Sequence, residues 1–249
     1  MPIAPSLCLP DTSLCAIVRD EMMNPAGGIA DFIESTVPFV EQAVIVDTGS
    51  KDGTRQALFA ARQRYPTLSV ATTLFNDYAS ARNLSLEHVR TRYALVLDAD
   101  ERLTRDDFRE LGALMHERPA HAYNFQVIDV HPNGEETKAE GHNPRLFVTN
   151  EQFRYTNLNA RYSEILRLGE GNDKPQVECL WEHDRRFVVV LTDIRIKQFL
   201  ASPAAQWKKR VDWYGGAFGR GGDEFPKAPS DVPSFREWKM YNQQRERYR

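Results

Sequence analysis

Three short apolar runs, each of buried-strand length, end abruptly in polar clusters, and helical segments separate them. Residues 13–18 (SLCAIV) run into Arg19-Asp20-Glu21, residues 43–46 (AVIV) into Asp47-Thr48-Gly49-Ser50, and residues 93–97 (YALVL) into Asp98-Ala99-Asp100. Between them, Ile29, Phe32, Ile33 and Val37 lie near helical spacing before Pro38, residues 54–65 predict a helix stopped by Pro66, and residues 79–89 predict another. Residues 68–73 add a strand candidate, and residues 1–12 read as a loose leader. Strand alternating with helix predicts an α/β domain with parallel neighbours. In such sheets a ligand crevice opens beyond the carboxyl ends of the strands, which is where all three polar clusters fall.

Behind residue 100 the alternation gives way to a mixed pattern. Residues 103–115 are helical in pattern, with Thr104 as N-cap and Asp106 and Asp107 in the first turn. Residues 122–130, 145–148, 187–191 and 193–196 are strand candidates that elaborate the same sheet. From residue 201 a helical extension follows. One helix from about Pro203 carries Trp207, Val211 and Tyr214, a Gly/Pro-rich loop spans 219–233, and a basic, aromatic helix closes the chain. The expected organisation is a domain over 1–200, with a ligand-binding half at 13–103 and a second half at 104–200, then the extension at 201–249.

Composition removes several classes. A formal net charge of -3 offers no global positive field for nucleic acid. No apolar run approaches the ~20 residues of a membrane span. Pro2, Pro5, Pro10 and Asp11 interrupt any signal-like segment, and the 3 cysteines match neither a disulfide framework nor a zinc cluster. A reducing cytoplasm is the expected compartment.

The clusters have chemistry. Asp98 and Asp100, alternating at a strand end, offer hard oxygen ligands that leave positions open for Mg²⁺ or Mn²⁺ bridged to a diphosphate; equally, they could cap the helix that follows. Asp47 to Thr54 (DTGSKDGT) leads from a strand into a helix, so Asp47 could accept an N–H from a uracil-like ring, or the segment could be a plain turn. It is neither a Walker loop nor a GxGxxG fingerprint. In FNDYASARN (75–83), small residues followed by Arg82 suit a phosphate at a helix start, against a capped helix with a solvated arginine. Taken together the clusters fit one ligand, a nucleoside diphosphate carrying a group to transfer.

SLCAIVRDE, VIVDTGSKDGT, FNDYASARN and LVLDADERL, in this order over roughly 13–103, resemble the successive motifs of family 2 glycosyltransferases, which have the GT-A fold. The likeness extends more weakly to NPRLFV (143–148) and is greatest to the branch of lipopolysaccharide-core glucosyltransferases and peptide S-glycosyltransferases. The resemblance implies a Rossmann-like, mostly parallel sheet and transfer with inversion from a nucleotide sugar, UDP-linked, to a glycan, lipid-linked or peptide acceptor. It implies that Arg19, Glu21, Asp47, Ser50, Arg82 and Asp98 bind the donor, and that Asp98 and Asp100 hold Mn²⁺ or Mg²⁺. Glu164 would take the acceptor proton, so that Glu164 and Asp100 carry catalysis. Two histidines common in that branch are replaced, one by Ser163 and one by Gln198. Gln198 is then the third metal ligand, a weaker neutral oxygen, with His183 as a substitute. The rivals are a sugar nucleotidyltransferase, which the acidic Arg19-Asp20-Glu21 disfavours, and a non-catalytic nucleotide-sugar binder.

In residues 234–249, Phe235, Trp238 and Tyr241 recur at three-residue spacing among Arg236, Lys239, Arg245, Arg247 and Arg249. Such a helix either packs its rings on the domain or a second subunit, giving a homodimer, or meets anionic lipid at a membrane face.

Overall fold

The structure, a computed structural model, describes residues 7–138, 141–157 and 164–200. The extension over 201–249 and the substitution at Ser163 lie outside the described residues.

The first half builds as its pattern dictates. Strand β1 (Leu9–Val18) is followed by helix α1 (Gly28–Thr36), β2 (Val40–Asp47), α2 (Thr54–Arg64), β3 (Leu68–Thr72), α3 (Tyr78–Glu87) and β4 (Tyr93–Val96). These four strands lie side by side in the order β3-β2-β1-β4, all parallel. Val18 stands opposite Asp47, and Cys15 opposite Val96, so the polar clusters after β1, β2 and β4 share one edge. The strands are apolar on both faces because helices cover both sides of a parallel sheet.

The leader is shorter than expected. β1 begins at Leu9, which is fully buried and pairs with Val40, while Asp11 takes a left-handed conformation (φ 53°) where the register shifts before Ser13. Pro10 and Asp11 break the apolar pattern but not the strand, because the break is absorbed as a bulge.

Beyond β4 come β5 (Glu101–Arg102), α4 (Arg105–Glu117), β6 (Ala122–Val130), β7 (Glu136–Lys138), β8 (Asn143–Val148), β9 (Phe153–Asn157), β10 (Glu164–Leu168), the short α5 (Leu180–His183) and β11 (Val189–Phe199). Here the sheet becomes mixed. β8 inserts antiparallel between β4 and β6, β11 lies parallel to β6, and β5 closes the order antiparallel to β11. β9 and β10 form a separate antiparallel pair. The two strand candidates at 187–191 and 193–196 are one strand, with a register irregularity between Leu191 and Arg195 where the apolar run is interrupted.

One hydrophobic core, from Leu9 to Ile196, joins both halves. Each fully buried leucine or phenylalanine in it contributes ~1.5–3 kcal/mol relative to exposure. Helix α4 is fixed by a capping box, Thr104 Oγ1 accepting from Asp107 N and Asp107 accepting from Thr104 N. It lies so close to the sheet that a Cβ on Gly112 would stand 2.4 Å from the Cys8 carbonyl oxygen. Among the described residues no helix is long and apolar enough to cross a membrane.

Candidate active site

A cavity of about 290 Å³ opens at the shared strand edge. Its lining includes Arg19, Glu21, Arg82, Asp98, Asp100, Glu164 and Gln198. These seven residues come from five segments of chain, and each segment has a local reason for its position.

The first wall is held by backbone donors. Beyond β1, Asp20 N donates to Ser50 Oγ (3.0 Å), Glu21 N to Thr54 Oγ1 (2.8 Å) and Met22 N to Asp52 Oδ2 (3.0 Å). In return Lys51 N donates to Asp20 Oδ1 (2.7 Å). The DTGSKDGT segment therefore folds the RDE segment. Asp47 is fully buried behind this wall: its Oδ1 accepts from Gly49 N (2.9 Å) and Ser50 N (2.8 Å), and its Oδ2 from Arg55 Nε (2.7 Å). Burial resists its ionisation, but Arg55 and the Ser50 and Gly49 donors prevail and hold its carboxyl below the ordinary 3.8. Asp47 and Ser50, expected to touch a ligand, thus stand outside the cavity lining and shape the loop.

Asn24 joins this wall to the next. Its Oδ1 accepts from Ala26 N and Gly28 N (both 2.9 Å), and its Nδ2 donates to Ala99 O (2.7 Å).

Asp98-Ala99-Asp100 forms the second wall, and it does not cap a helix, since Thr104 and Asp107 cap α4 and β5 intervenes. Glu101 organises it. Its backbone N donates to Asp98 O (2.9 Å), and its Oε2 accepts from Asp98 N (2.9 Å). In β5, Glu101 also pairs with Gln198 of β11, and Phe199 N donates to Asp100 O (2.9 Å). Both carboxylates and the Gln198 amide are thereby brought to one cavity by a two-residue strand.

Arginines face these acids. Arg82, on α3 and only 4% exposed, gives Nη2 to Asp98 Oδ1 and Nε to Glu164 Oε1 (3.3 Å). Its Nη1 is buried without a hydrogen-bond partner. Arg145 of β8 gives Nη2 to Glu101 Oε1, and that nitrogen lies 3.8 Å from Asp98 Oδ2. Burial disfavours charge on Arg82, yet Asp98 and Glu164 raise its pKa; burial likewise opposes Arg145, yet Glu101 and Asp98 raise it. Burial pushes the Glu101 carboxyl up to about 7, with Arg145 opposing and Asp98 and Asp100 reinforcing.

Two arginines on the lining, Arg19 and Arg82, face four carboxylates, those of Glu21, Asp98, Asp100 and Glu164. Were a diphosphate to enter this acidic pocket it would need a counter-cation, and Asp98, Asp100 and Gln198 could offer the hard oxygen donors that Mg²⁺ or Mn²⁺ takes. Among the described residues no group of three or more His, Cys, Asp or Glu forms a metal cage by itself. The donor set suits a cation shared with a ligand, since Mg²⁺ is held by one or two carboxylates plus phosphate oxygens. His183 is exposed on α5 and does not line the cavity.

Sequence reasoning missed Glu101, Arg145, Asn24, Thr48 and Tyr78. Arg145 carried a signal, a charged residue within the apolar NPRLFV strand, whose partner could not be read from the chain.

A parallel sheet edge with an acidic, arginine-bridged cavity, continued by a mixed half-sheet, defines an α/β protein of the GT-A fold. The chain belongs to glycosyl transferase family 2, whose profile its residues 26–169 match, more than half of its length. It is 32% identical over 111 residues to a TPR repeat-containing protein of Synechococcus elongatus, and that match spans 45% of this chain and 26% of the relative. Among solved structures it is similar to S. aureus TarS 1-349, at TM-score 0.49 and 11% identity over 79% of this chain and 62% of that one. It is also similar to the same protein in complex with UDP-GlcNAc, at TM-score 0.48 and 14% identity over 77% and 59%.

Proposed function

We propose that this protein transfers a sugar, with inversion, from a UDP-linked donor to a glycan, lipid-linked or peptide acceptor. The observation that carries this reading is the convergence of Asp98, Asp100, Gln198, Arg82 and Glu164 on one cavity at the carboxyl edge of the parallel strands. Arg19 and Glu21 border the nucleotide, on a loop whose shape Asp47 and Ser50 maintain. The unpartnered Arg82 Nη1 supports a contact with the diphosphate, because a buried guanidinium nitrogen gains most from an anionic acceptor. Mn²⁺ or Mg²⁺ held by Asp98, Asp100 and Gln198 would neutralise charge on the leaving diphosphate.

Glu164 acts as general base on the acceptor hydroxyl or thiol. Its contact with Arg82 keeps the carboxylate oriented toward the cavity and places base and donor carboxylate on one guanidinium. Inversion follows if the deprotonated acceptor attacks the anomeric carbon opposite the leaving diphosphate. Asp100→Ala tests the assignment: sugar transfer should fall by roughly 100-fold or more with the circular dichroism spectrum and melting temperature retained, as loss of an electrostatic contact to the leaving group implies. Full activity in that variant would remove Asp100 from the site. We also propose that the tail at 234–249 meets anionic lipid or a lipid-linked acceptor at the cytoplasmic membrane face, a reading its interleaved rings and cations support.

A further inference from the structure

We propose that Arg145 is a positioning residue, paired with Glu101, that aims Asp98 and thereby sets how well the site couples a divalent cation to its nucleotide. The proposal rests on the nucleotide-sugar reading of the cavity.

Arg145 is not among the residues that line the cavity, and its side chain is 17% exposed. One of its nitrogens reaches both Glu101 Oε1 and, at 3.8 Å, Asp98 Oδ2. Asp98 is therefore flanked on both carboxylate oxygens, Oδ1 by Arg82 and Oδ2 by Arg145. Arg82 is the cavity-facing partner, and an arriving diphosphate would compete for it. Arg145, paired with Glu101 and outside the cavity lining, can keep the Asp98 carboxylate aimed while Arg82 turns to the ligand.

Glu101 makes this possible in two ways. Its fully buried carboxyl pairs with Arg145, so that guanidinium is engaged by an acid outside the lining. Its Oε2 also accepts the Asp98 N–H, so the pair fixes backbone and side chain of the same residue. Outer groups of this kind, which orient ligands without touching a metal, alter metal affinity by about 10–100-fold when removed.

The test is UDP binding by calorimetry, with and without Mn²⁺, on the full chain. In the wild type Mn²⁺ should tighten UDP binding. In Arg145→Met that enhancement should fall by about tenfold, with UDP binding in the absence of Mn²⁺ changed by less than about threefold. Arg145→Lys, which keeps the charge, should recover part of the enhancement. A general loss of structure would weaken both measurements together, and the ratio would not move. If Arg145→Met does not fold, the double variant Arg145→Met with Glu101→Gln leaves no uncompensated buried charge and gives the same readout. An unchanged Mn²⁺ enhancement in a folded Arg145→Met or double variant overturns the proposal. Failure of the wild type to bind UDP with Mn²⁺ instead overturns the nucleotide-sugar reading itself, and the proposal with it.

Discussion

At the scale of single residues, the same side-chain type does opposite work according to what surrounds it. Asp98 and Asp100 sit on a cavity wall, whereas Asp47, also at a strand end, is sealed against three donors. Those three contacts make Asp47 a contributor to stability. Its folded pKa is lowered, so its ionised form contributes stability above the unfolded value, and that contribution is lost as pH falls below 3.8 through the folded value. Asp47→Asn should cost about 1–2 kcal/mol at pH 7, because the Arg55 pair and the charge-assisted turn bonds are lost. Urea unfolding at stepped pH checks this: the gap between wild type and variant should close as pH falls below 3.8. A gap that stays constant across that range would show that the charge is not what Asp47 supplies.

At the scale of elements, the site depends on how closely loops and helix starts approach one another. Gly28 opens α1 at φ +88°, and a Cβ there would lie 2.6 Å from the Met22 carbonyl oxygen, beside Glu21. Gly28→Ala should cost about 1–3 kcal/mol by strain and overpacking, and it should weaken UDP binding because Glu21 and Met22 must move. Gly53 provides the comparison. Its φ is +103°, but an added Cβ would meet only the Met22 side chain, at 3.7 Å or more. Gly53→Ala should therefore destabilise through backbone strain alone, by about 1 kcal/mol, with UDP affinity retained. Thermal melts and calorimetry of the two variants decide it; equal losses of UDP affinity would mean that close approach at Gly28 is not what shapes the wall. The short β5 illustrates the same dependence. Two residues give no periodicity to read, yet pairing of Glu101 with Gln198 is what places the late strand beside the acidic loop.

At the scale of the whole molecule, one large core joins both halves of the described residues, and the lipid contact proposed for the tail at 234–249 can be tested apart from it. Each basic residue near an anionic surface contributes only ~1 kcal/mol, so the tail should bind lipid reversibly and salt-sensitively. Truncation after Pro233 should abolish sedimentation with anionic liposomes and leave the melting temperature unchanged. A fall in melting temperature or dimer content, with no liposome binding by the full chain, would assign the tail to packing instead. The sequence by itself determined the alternation of strand and helix, the parallel first half, the Thr104 cap and the polar clusters at strand ends, because periodicity, caps and strand termini are local properties of the chain. It also marked Arg82, Asp98 and Asp100 through motif order, and Glu164 and Gln198 through the resemblance to one branch of the family. Only the tertiary structure decided that Asp47 and Ser50 stand behind the wall, that His183 lies outside, that residues 187–196 contribute to a single strand, and that Arg145 and Glu101 support the acids. Those outcomes depend on which distant strands become neighbours: β8 brings Arg145 to Glu101 across 44 residues of chain, and no local pattern encodes a pairing made by the packing of the whole sheet.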